Sequence, residues 1–165
     1  MVDDIHALKT VGIREFAVGA LREGVDGAAL EKLVTAAKPG KVVFHRAIDE
    51  LLRRGFSPDD VIGELKNFGI DRVLSSGGGV EADARGLANL KRACDRNGIE
   101  LVAAGKIDVV KIPRLAFATQ FHAGSSVHET VCAEKTDDLF RAMACQRVTT
   151  SKVARLLDAI RRAVP

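Results

Sequence analysis

The chain has 165 residues, 47% of them hydrophobic and 28% charged, which is typical of one globular domain with its own hydrophobic core. The formal net charge is only +3, and the chain has no Trp, no Tyr and seven Phe. This composition argues against a nucleic-acid-binding protein and against a protein held on an anionic membrane surface. No apolar run approaches the roughly 20 residues that a bilayer-spanning helix needs.

The N-terminus and the cysteines indicate the compartment. Asp3 and Asp4 place acidic residues where a signal peptide would be basic. The three cysteines, Cys94, Cys132 and Cys145, are odd in number and lack the CxxC spacing of a zinc or redox site. We therefore expect a cytoplasmic protein with reduced thiols.

Short apolar segments that predict strands alternate with amphipathic segments that predict helices. Asp26 is suited to cap the first of these helices, and Pro58 to begin the second. The predicted strands cover residues 15–20, 41–45, 72–74, 99–103 and 118–122, and the predicted helices cover residues 25–37, 57–68, 82–97, 109–117 and 151–163. This alternation favours parallel strands joined by right-handed crossovers, so we expect residues 1–165 to form one α/β domain.

Two further patterns refine this prediction. Residues 69–72 (GIDR) echo residues 12–15 (GIRE), a weak βα repeat of the kind that barrels and doubly wound sheets both show. Residues 123–150 break the alternation, and they predict a long loop with one short helix near residues 137–145.

Polar or flexible residues follow four of the five predicted strands. In parallel α/β sheets, ligands bind beyond the carboxyl ends of the strands, so we expect these residues to face one common mouth. They are His45, Arg46 and Asp49 after the second strand; Ser75, Ser76, Gly77, Gly78 and Gly79 after the third; Gly105 and Lys106 after the fourth; and Gln120, His122, Ser125 and Ser126 at the last.

His45 and its neighbours are the strongest candidates for chemistry. Period-2 alternation puts Val43 and His45 on one face of their strand and Phe44 on the other. His45 could be an acid, a base or a metal ligand, Arg46 could hold a carboxylate or phosphate, and Asp49 could orient either one. The alternative is an Arg46–Asp49 pair that only fixes the loop.

Two loops are candidates for binding an anion. Ser75, Ser76 and the glycines that follow could direct backbone N–H groups at an anion, or they could form an ordinary flexible loop. His122 with Ser125 and its neighbours could hold a phosphate, as many barrels do near their last strands, or His122 could be structural.

Soft side chains suggest a weaker metal hypothesis. Cys132, Met143 and Cys145 are the kind of ligands that suit Cu(I), but their spacing matches no metal motif. Met143 and Cys145 fit equally well on the buried side of a small helix. Cys94 lies on the apolar face of its helix and is expected in the core.

Several of these segments resemble motifs of the CutC family, which is named for copper homeostasis. Residues 44–49 (FHRAID) are similar to its FHRAFD segment, and residues 69–78 (GIDRVLSSGG) to its GVDRVLTSGG. Residues 100–107 (ELVAAGKI), 120–123 (QFHA) and 148–150 (VTT) resemble its strand ending in GGGI, its EFHAS and its closing VTD. The likeness runs from about Ile5 to the C-terminus.

The resemblance implies a TIM-type (βα)₈ barrel, a cytoplasmic location and a role in copper homeostasis or copper binding. It implies no particular enzymatic reaction. By motif position, it implies that the following residues lie at the mouth: His45, Arg46, Asp49, Ser76, Gly77, Gly78 and His122.

The sequence departs from the family pattern at several positions. Ala103 and Ala104 replace glycines of GGGI, Lys106 adds a cation there, and Gln120 replaces the Glu of EFHAS. The family's first three strands are not recognised, so we expect an incomplete barrel of about five parallel strands. Its two edges, near residues 15–20 and 118–122, leave two alternatives. The chain is an excised or divergent fragment, or it forms a homo-oligomer through its first or last strand, because unpaired strand edges associate.

These observations leave three hypotheses. The first is a CutC-like copper homeostasis protein that binds a small anionic ligand or a copper ion at the mouth; anion binding by Arg46, Lys106 and the glycine-rich loops ranks above copper binding by His45 and His122. The second is an enzyme for a small phosphate or carboxylate substrate, with His45 as the acid or base and Asp49 as its orienter. The third is a non-catalytic remnant that oligomerises.

Overall fold

The computed structural model describes residues 1–131 and 146–164. The strands are β1 Glu15–Val18, β2 Lys41–Phe44, β3 Arg72–Ser75, β4 Glu100–Ala103, β5 Gln120–Phe121, β6 His128–Thr130 and β7 Gln146–Val148. The helices are α1 Val2–Thr10, α2 Gly27–Ala37, α3 Ala47–Arg53, α4 Pro58–Asn67, α5 Ala84–Asn97 and α6 Thr150–Ala163, with a 3₁₀ helix at Ile112–Leu115.

The first five strands form one parallel sheet in the order β1-β2-β3-β4-β5. This confirms the predicted architecture of five parallel strands with flanking helices. Within the described residues, β1 and β5 each pair with a single neighbour, so they are the two edges of this sheet.

The two faces of the sheet differ in burial, as the alternation of apolar residues requires. Phe16, Phe44 and Val73 point to the helices and are buried. His45 continues the opposite face and is exposed, in agreement with the predicted alternation. The hydrophobic core therefore lies between the sheet and the helices, while the other face opens to solvent.

The open face has a polar network at the amino ends of the strands. Arg72 Nε donates to Glu100 Oε2, and Arg72 Nη1 lies 3.2 Å from Glu15 Oε2. Gln120 Nε2 donates to Glu100 Oε2 at 2.8 Å. The Gln120 side chain therefore bonds to a residue at the amino end of β4, on the side away from the mouth.

Local signals in the sequence account for the ends of several helices. Asp26 Oδ1 accepts from the Ala29 N–H at 3.0 Å, which caps α2 as predicted. Gly98 ends α5 in the left-handed conformation, with φ 62°. Cys94, on the inner face of α5, is buried in the core, and this burial raises the pKa of its thiol to about 12.

The structure differs from the sequence prediction in several places, among them the helix α1. α3 was not predicted, because a seven-residue helix is too short for a clear period; its Ile48 and Leu51 pack into the core. The helix predicted for 109–117 is reduced to the 3₁₀ helix that contains Pro113. In the predicted loop 123–150, β6 and β7 form an antiparallel pair, and the short helix predicted near residues 137–145 lies outside the described residues.

Within residues 1–131 and 146–164, no helix combines the length and the apolar character that crossing a membrane would require.

Candidate functional site

The mouth of the sheet is the end at which the parallel strands finish. His45 follows β2, Ser76 follows β3, Lys106 follows β4 and His122 follows β5. Because the five strands run in the same direction, these residues stand at the same end of the sheet. The structure thus brings most of the predicted site residues to one rim, but their side chains differ in what they contact.

Asp49 is the centre of a buried hydrogen-bond network on α3. Its Oδ1 lies 2.5 Å from Ser75 Oγ and 3.0 Å from the backbone nitrogens of Ser76 and Gly78. Its Oδ2 lies 2.8 Å from Ser76 Oγ and 2.7 Å from Arg46 Nε. Asp49 is only 1% exposed, and both serines are fully buried.

The network decides the charge of Asp49. Burial acts to raise its pKa, but the hydrogen bonds that the carboxylate accepts lower the pKa by more, so the pKa of Asp49 lies below its ordinary value. At neutral pH the carboxylate is therefore an anion, and it joins α3 to the loop after β3. None of its described hydrogen bonds reaches His45, so the predicted pairing of Asp49 with His45 is absent from the described structure.

The glycine-rich loop does direct its N–H groups at an anion, but that anion is Asp49. The Gly78 N–H donates to Asp49, and the Gly77 N–H donates to Ser75 Oγ at 2.9 Å. Gly77 has φ 80°, and a Cβ atom on it would meet Leu87 N at 2.6 Å. Only glycine fits between the loop and α5 there. These N–H groups already donate to side chains of the protein itself, so they are not free to bind an external anion.

Arg46 fixes the same loop from the solvent side. Besides its bond to Asp49, its Nη2 lies 2.8 Å from both Ser76 Oγ and the Gly79 carbonyl oxygen. The Arg46 side chain is 41% exposed, and its Nη1 has no acceptor among the described residues. The structure therefore agrees mainly with the alternative hypothesis, in which Arg46 and Asp49 only fix the loop. The Nη1 group is the part of the Arg46 guanidinium that is left to bind another group.

The imidazole of His45 lies above the end of the neighbouring strand. Its Nδ1 accepts a hydrogen bond from the Ala47 N–H at 3.1 Å. A Cβ atom on Gly19 would lie 2.3 Å from His45 Cε1, so the ring occupies the space that a side chain after β1 would need. His45 is exposed, and its orientation is set by the backbone rather than by a carboxylate.

Lys106 already has an ionic partner at the rim. Its Nζ lies 2.9 Å from Glu81, and Lys111 Nζ lies 2.8 Å from the same carboxylate. Hydrogen bonds from Lys111 and Lys106 lower the pKa of Glu81 to about 2. The backbone of Lys106 has a positive φ of 52°, an uncommon conformation for a residue with a side chain. Lys106 is thus paired, not a free clamp for a ligand.

The last strand provides less than predicted. His122 is exposed, and its backbone N–H donates to the Ala103 carbonyl oxygen at 2.8 Å. Ser125 is exposed, whereas the Oγ of Ser126 is shielded from solvent and has no hydrogen-bond partner among the described residues. Ser126, rather than Ser125, is the serine of this loop that lines a cavity.

The described residues are a poor set of copper ligands. Residues 1–131 and 146–164 contain no group of three His, Cys, Asp or Glu side chains that could hold a metal ion. His45 and His122 follow strands separated by two others, about 14 Å along the sheet at ordinary strand spacing. The soft-ligand hypothesis for Cys132, Met143 and Cys145 falls outside the described residues.

Sequence reasoning missed two residues that shape the rim. Gly19 stands at the end of an apolar strand, and a glycine there is a known sign of close approach by another group, so this signal was present. Glu81 gave no such signal, because one acidic residue after a glycine run does not reveal that two lysines from the next loop converge on it.

Solved structures define the fold class. The copper homeostasis protein CutC from Streptococcus agalactiae aligns with a TM-score of 0.65 and 22% identity, over 74% of this chain and 61% of that chain. A structure described as native KDPGal aligns with a TM-score of 0.57 and 12% identity, over 99% of this chain and 66% of that one. At these identities the likeness concerns the fold alone, and the CutC neighbour has the expected TIM-type barrel architecture.

Sequence comparisons define the family. The family protein CutC of Salmonella paratyphi B is 33% identical over 107 residues, which are 64% of this chain and 41% of that protein. The CutC protein of Pasteurella multocida is 39% identical over 79 residues, 47% of this chain and 31% of that protein. The matches thus span less than half the length of these relatives. A model of the CutC family matches residues 1–133, and the chain belongs to the CutC family.

Proposed function

We propose that this chain acts in copper homeostasis, as the naming of its relatives suggests, by binding a small anionic ligand at the mouth of the sheet. The observation that supports this most directly is the fixed, exposed imidazole of His45. Around it, Asp49, Ser76 and Lys106 are engaged with protein partners, so His45 is the side chain of the rim best placed to meet a ligand.

The hydrogen bond at Nδ1 determines what His45 can offer. Since Nδ1 accepts from the Ala47 N–H, the neutral ring has its hydrogen on Nε2. Nε2 is then a donor with no free lone pair. A ring in this tautomer suits a carboxylate or phosphate oxygen, whereas a metal ion at Nε2 would require the hydrogen to move to Nδ1 and the bond from Ala47 to break.

Arg46 supports the same assignment. Its Nε and Nη2 hold the loop, but Nη1 has no described acceptor and the side chain is 41% exposed. Because Nε and Nη2 fix the guanidinium, its Nη1 group can donate to an oxyanion without a large loss of side-chain freedom. The positive charge of Arg46 is partly balanced by Asp49, so the expected affinity is modest.

Copper binding is the second candidate, and kinship with proteins named for copper homeostasis favours it. His45 and His122 would be its ligands at the mouth. Two imidazoles alone are a weak ligand set for Cu(I), which prefers sulfur ligands. An enzymatic role for His45 as an acid remains an alternative, but the described structure gives it no carboxylate partner.

The experiment is a titration of the protein with inorganic phosphate and, separately, with succinate, observed by the imidazole resonances in NMR spectra. Saturable shifts of the His45 ring, lost in His45→Ala and kept in His6→Ala, are expected; His6 is an exposed histidine on α1. His45 resonances that neither anion moves would contradict the proposal.

A parallel arm tests copper. The protein competes with a Cu(I) chelator of known affinity, in the wild type and in His45→Ala and His122→Ala. If each substitution weakens Cu(I) uptake while phosphate and succinate leave the His45 ring unmoved, copper replaces the anion as the ligand of the mouth.

A further inference from the structure

A groove runs between the turn after β4 and the last helix. It consists of two adjoining cavities of about 500 Å³ and about 190 Å³, which share Val109 and Arg155. Their size is that of sites for small organic molecules. Ser126 is the one predicted mouth residue that lines this groove, while His45, Arg46, Lys106 and His122 line neither cavity. The groove is therefore distinct from the site proposed around His45 and Arg46.

The smaller cavity has two cationic side chains from the first turns of α6. Lys152 Nζ donates to the His128 carbonyl oxygen, which fixes the ammonium group at the cavity. Arg155 is exposed and makes no hydrogen bond or ion pair with any residue among 1–131 and 146–164. A fixed cation beside an unpaired guanidinium is an arrangement that favours an anionic group.

The one carboxylate of the smaller cavity is engaged elsewhere. Asp108 Oδ1 accepts from the backbone nitrogens of Val110 and Lys111, at 3.0 Å and 2.9 Å. Its Oδ2 lies 3.8 Å from Lys111 Nζ. Asp108 therefore stabilises its own turn and has its charge balanced by Lys111, so Lys152 and Arg155 determine the charge of the cavity.

Two further features of this cavity lack a partner. The Oγ of Ser126 is shielded from solvent and makes no hydrogen bond with any residue among 1–131 and 146–164, and a buried hydroxyl without a partner is unfavourable. Rotation about its Cα–Cβ bond can turn this hydroxyl to the cavity that the residue lines. In addition, Thr149 makes no side-chain cap on α6 and the first turn of this helix has no acidic residue, so no residue of that turn offsets the positive helix end.

The larger cavity continues the groove with mostly apolar walls. Val109 and Pro113 form one side, and Ala159 and Ala163 of α6 form the other, with Asp158 and Arg162 also in the lining. The Asp158 carboxylate lies 3.7 Å from Arg161 Nη1, which balances its charge. Small side chains on α6 leave room here for an apolar body. The groove thus has a cationic end and an apolar end, in a fixed order along α6.

We propose that this groove binds a small phosphate monoester, with the phosphate at Ser126, Lys152 and Arg155 and the apolar body along Val109 and Pro113. A phosphate fits the polar end better than a carboxylate, because its two charges match the two cations and its three terminal oxygens can accept from the hydroxyl as well. This site does not depend on the anion proposed for the mouth.

The test uses phenyl phosphate as the probe and isothermal titration calorimetry on the full chain in the His45→Ala background, which removes the proposed mouth site. Arg155→Ala is expected to weaken phenyl phosphate binding at least tenfold, and Lys152→Ala similarly. Arg85→Ala is the matched control, since Arg85 is an exposed arginine on α5 that lines neither cavity. Circular dichroism checks that each variant keeps the fold.

Two ligands separate the parts of the proposal. Inorganic phosphate should bind more weakly than phenyl phosphate, since it leaves the apolar walls exposed, and benzoate should bind more weakly because it has one charge. No binding of phenyl phosphate, or binding that Arg155→Ala leaves unchanged, would overturn the site. Equal affinity for inorganic and phenyl phosphate would overturn the assignment of the apolar end.

Discussion

A Cβ atom on Gly19 would come within 2.3 Å of His45 Cε1, so the imidazole of His45 and the backbone of Gly19 share one space. The contact arises from strand pairing, because the His45 N–H donates to the Val18 carbonyl oxygen at 2.8 Å. The end of β1 thereby supports the side chain that ends β2. Residue 19 must therefore be a glycine if the His45 ring is to keep its orientation at the mouth.

Gly19→Ala should displace the His45 ring without unfolding the protein. The added methyl group would overlap the imidazole, and an exposed side chain can move away at little cost. We expect the Ala47–Nδ1 hydrogen bond to break and phosphate or succinate binding at the mouth to weaken about tenfold, which corresponds to about 1.4 kcal/mol. Imidazole ¹⁵N shifts report the loss of the fixed tautomer.

Gly63→Ala is the matched control for this substitution. Gly63 lies in α4 with open space around it, and alanine there should stabilise the helix by up to about 1 kcal/mol. Unchanged His45 resonances and unchanged anion binding in Gly19→Ala would contradict the role assigned to the glycine.

Asp49→Asn should destabilise the protein by roughly 3 kcal/mol at neutral pH. The amide can replace one acceptor oxygen, but its NH₂ group would face donors that now bond to Oδ1 or Oδ2. Chemical unfolding of both proteins measures the difference. Asp60→Asn, at an exposed carboxylate on α4, should cost less than about 1 kcal/mol.

The same pair of proteins should differ in acid stability. The pKa of Asp49 is lowered in the folded chain, so the stability from its charged form is complete above its ordinary value of 3.8 and is lost as the pH falls through the folded-state pKa. The free-energy gap between wild type and Asp49→Asn should therefore narrow below about pH 4. A gap that stays constant into strong acid would show that Asp49 is not charged in the fold.

The sheet could be predicted from the sequence because its signals are local. Lys41–Phe44 is β-branched and aromatic, and parallel pairing puts its carboxyl end beside that of Arg72–Ser75. The direction of the strands alone then places His45 and Ser76 at one rim. α3 escaped prediction because its stability comes from burial of Ile48 and Leu51 and not from periodicity.

The hydrogen-bond and ion-pair partners of the rim residues could not be predicted, because these partners lie far away in the sequence. Asp49 lies 26 residues before Ser75, and nothing local shows that the carboxylate fills the loop that seemed ready for a ligand. Lys106 is likewise paired with Glu81, 25 residues earlier. Sequence spacing identified the residues of the network but not which of them remain free.

The ion-pair cluster at Lys106 should be visible in the titration of Glu81. Hydrogen bonds from Lys111 and Lys106 hold the pKa of Glu81 at about 2, and Lys111→Ala or Lys106→Ala should each move it upward. Carboxyl ¹³C shifts across a pH series measure this. Since all three groups are at least partly exposed, added salt should also raise the pKa.

Lys91→Ala serves as the control for Glu81, because Lys91 pairs with Asp95 on the outer side of α5. This substitution should leave the pKa of Glu81 unchanged. If Lys111→Ala also leaves the pKa of Glu81 unchanged, the two lysines do not converge on Glu81 in solution.

We propose that the chain associates through the edge strand β1. Within the described residues, β1 pairs only with β2, and unpaired edges tend to pair with another chain. The Lys41 and His45 N–H groups donate to Arg14 and Val18, so by parallel alternation the N–H of Ala17 faces away from β2. Light scattering on fractionated protein should show an oligomer that dissociates on dilution.

Ala17→Pro should shift this equilibrium to the monomer, because proline removes the outward N–H while an edge strand tolerates its ring. Ala17→Val keeps that N–H and favours a strand, so it should leave the assembly unchanged. Circular dichroism checks that both variants retain the fold. A wild-type chain that is monomeric at every concentration would end the proposal, and an oligomer that Ala17→Pro leaves intact would exclude β1 as its interface.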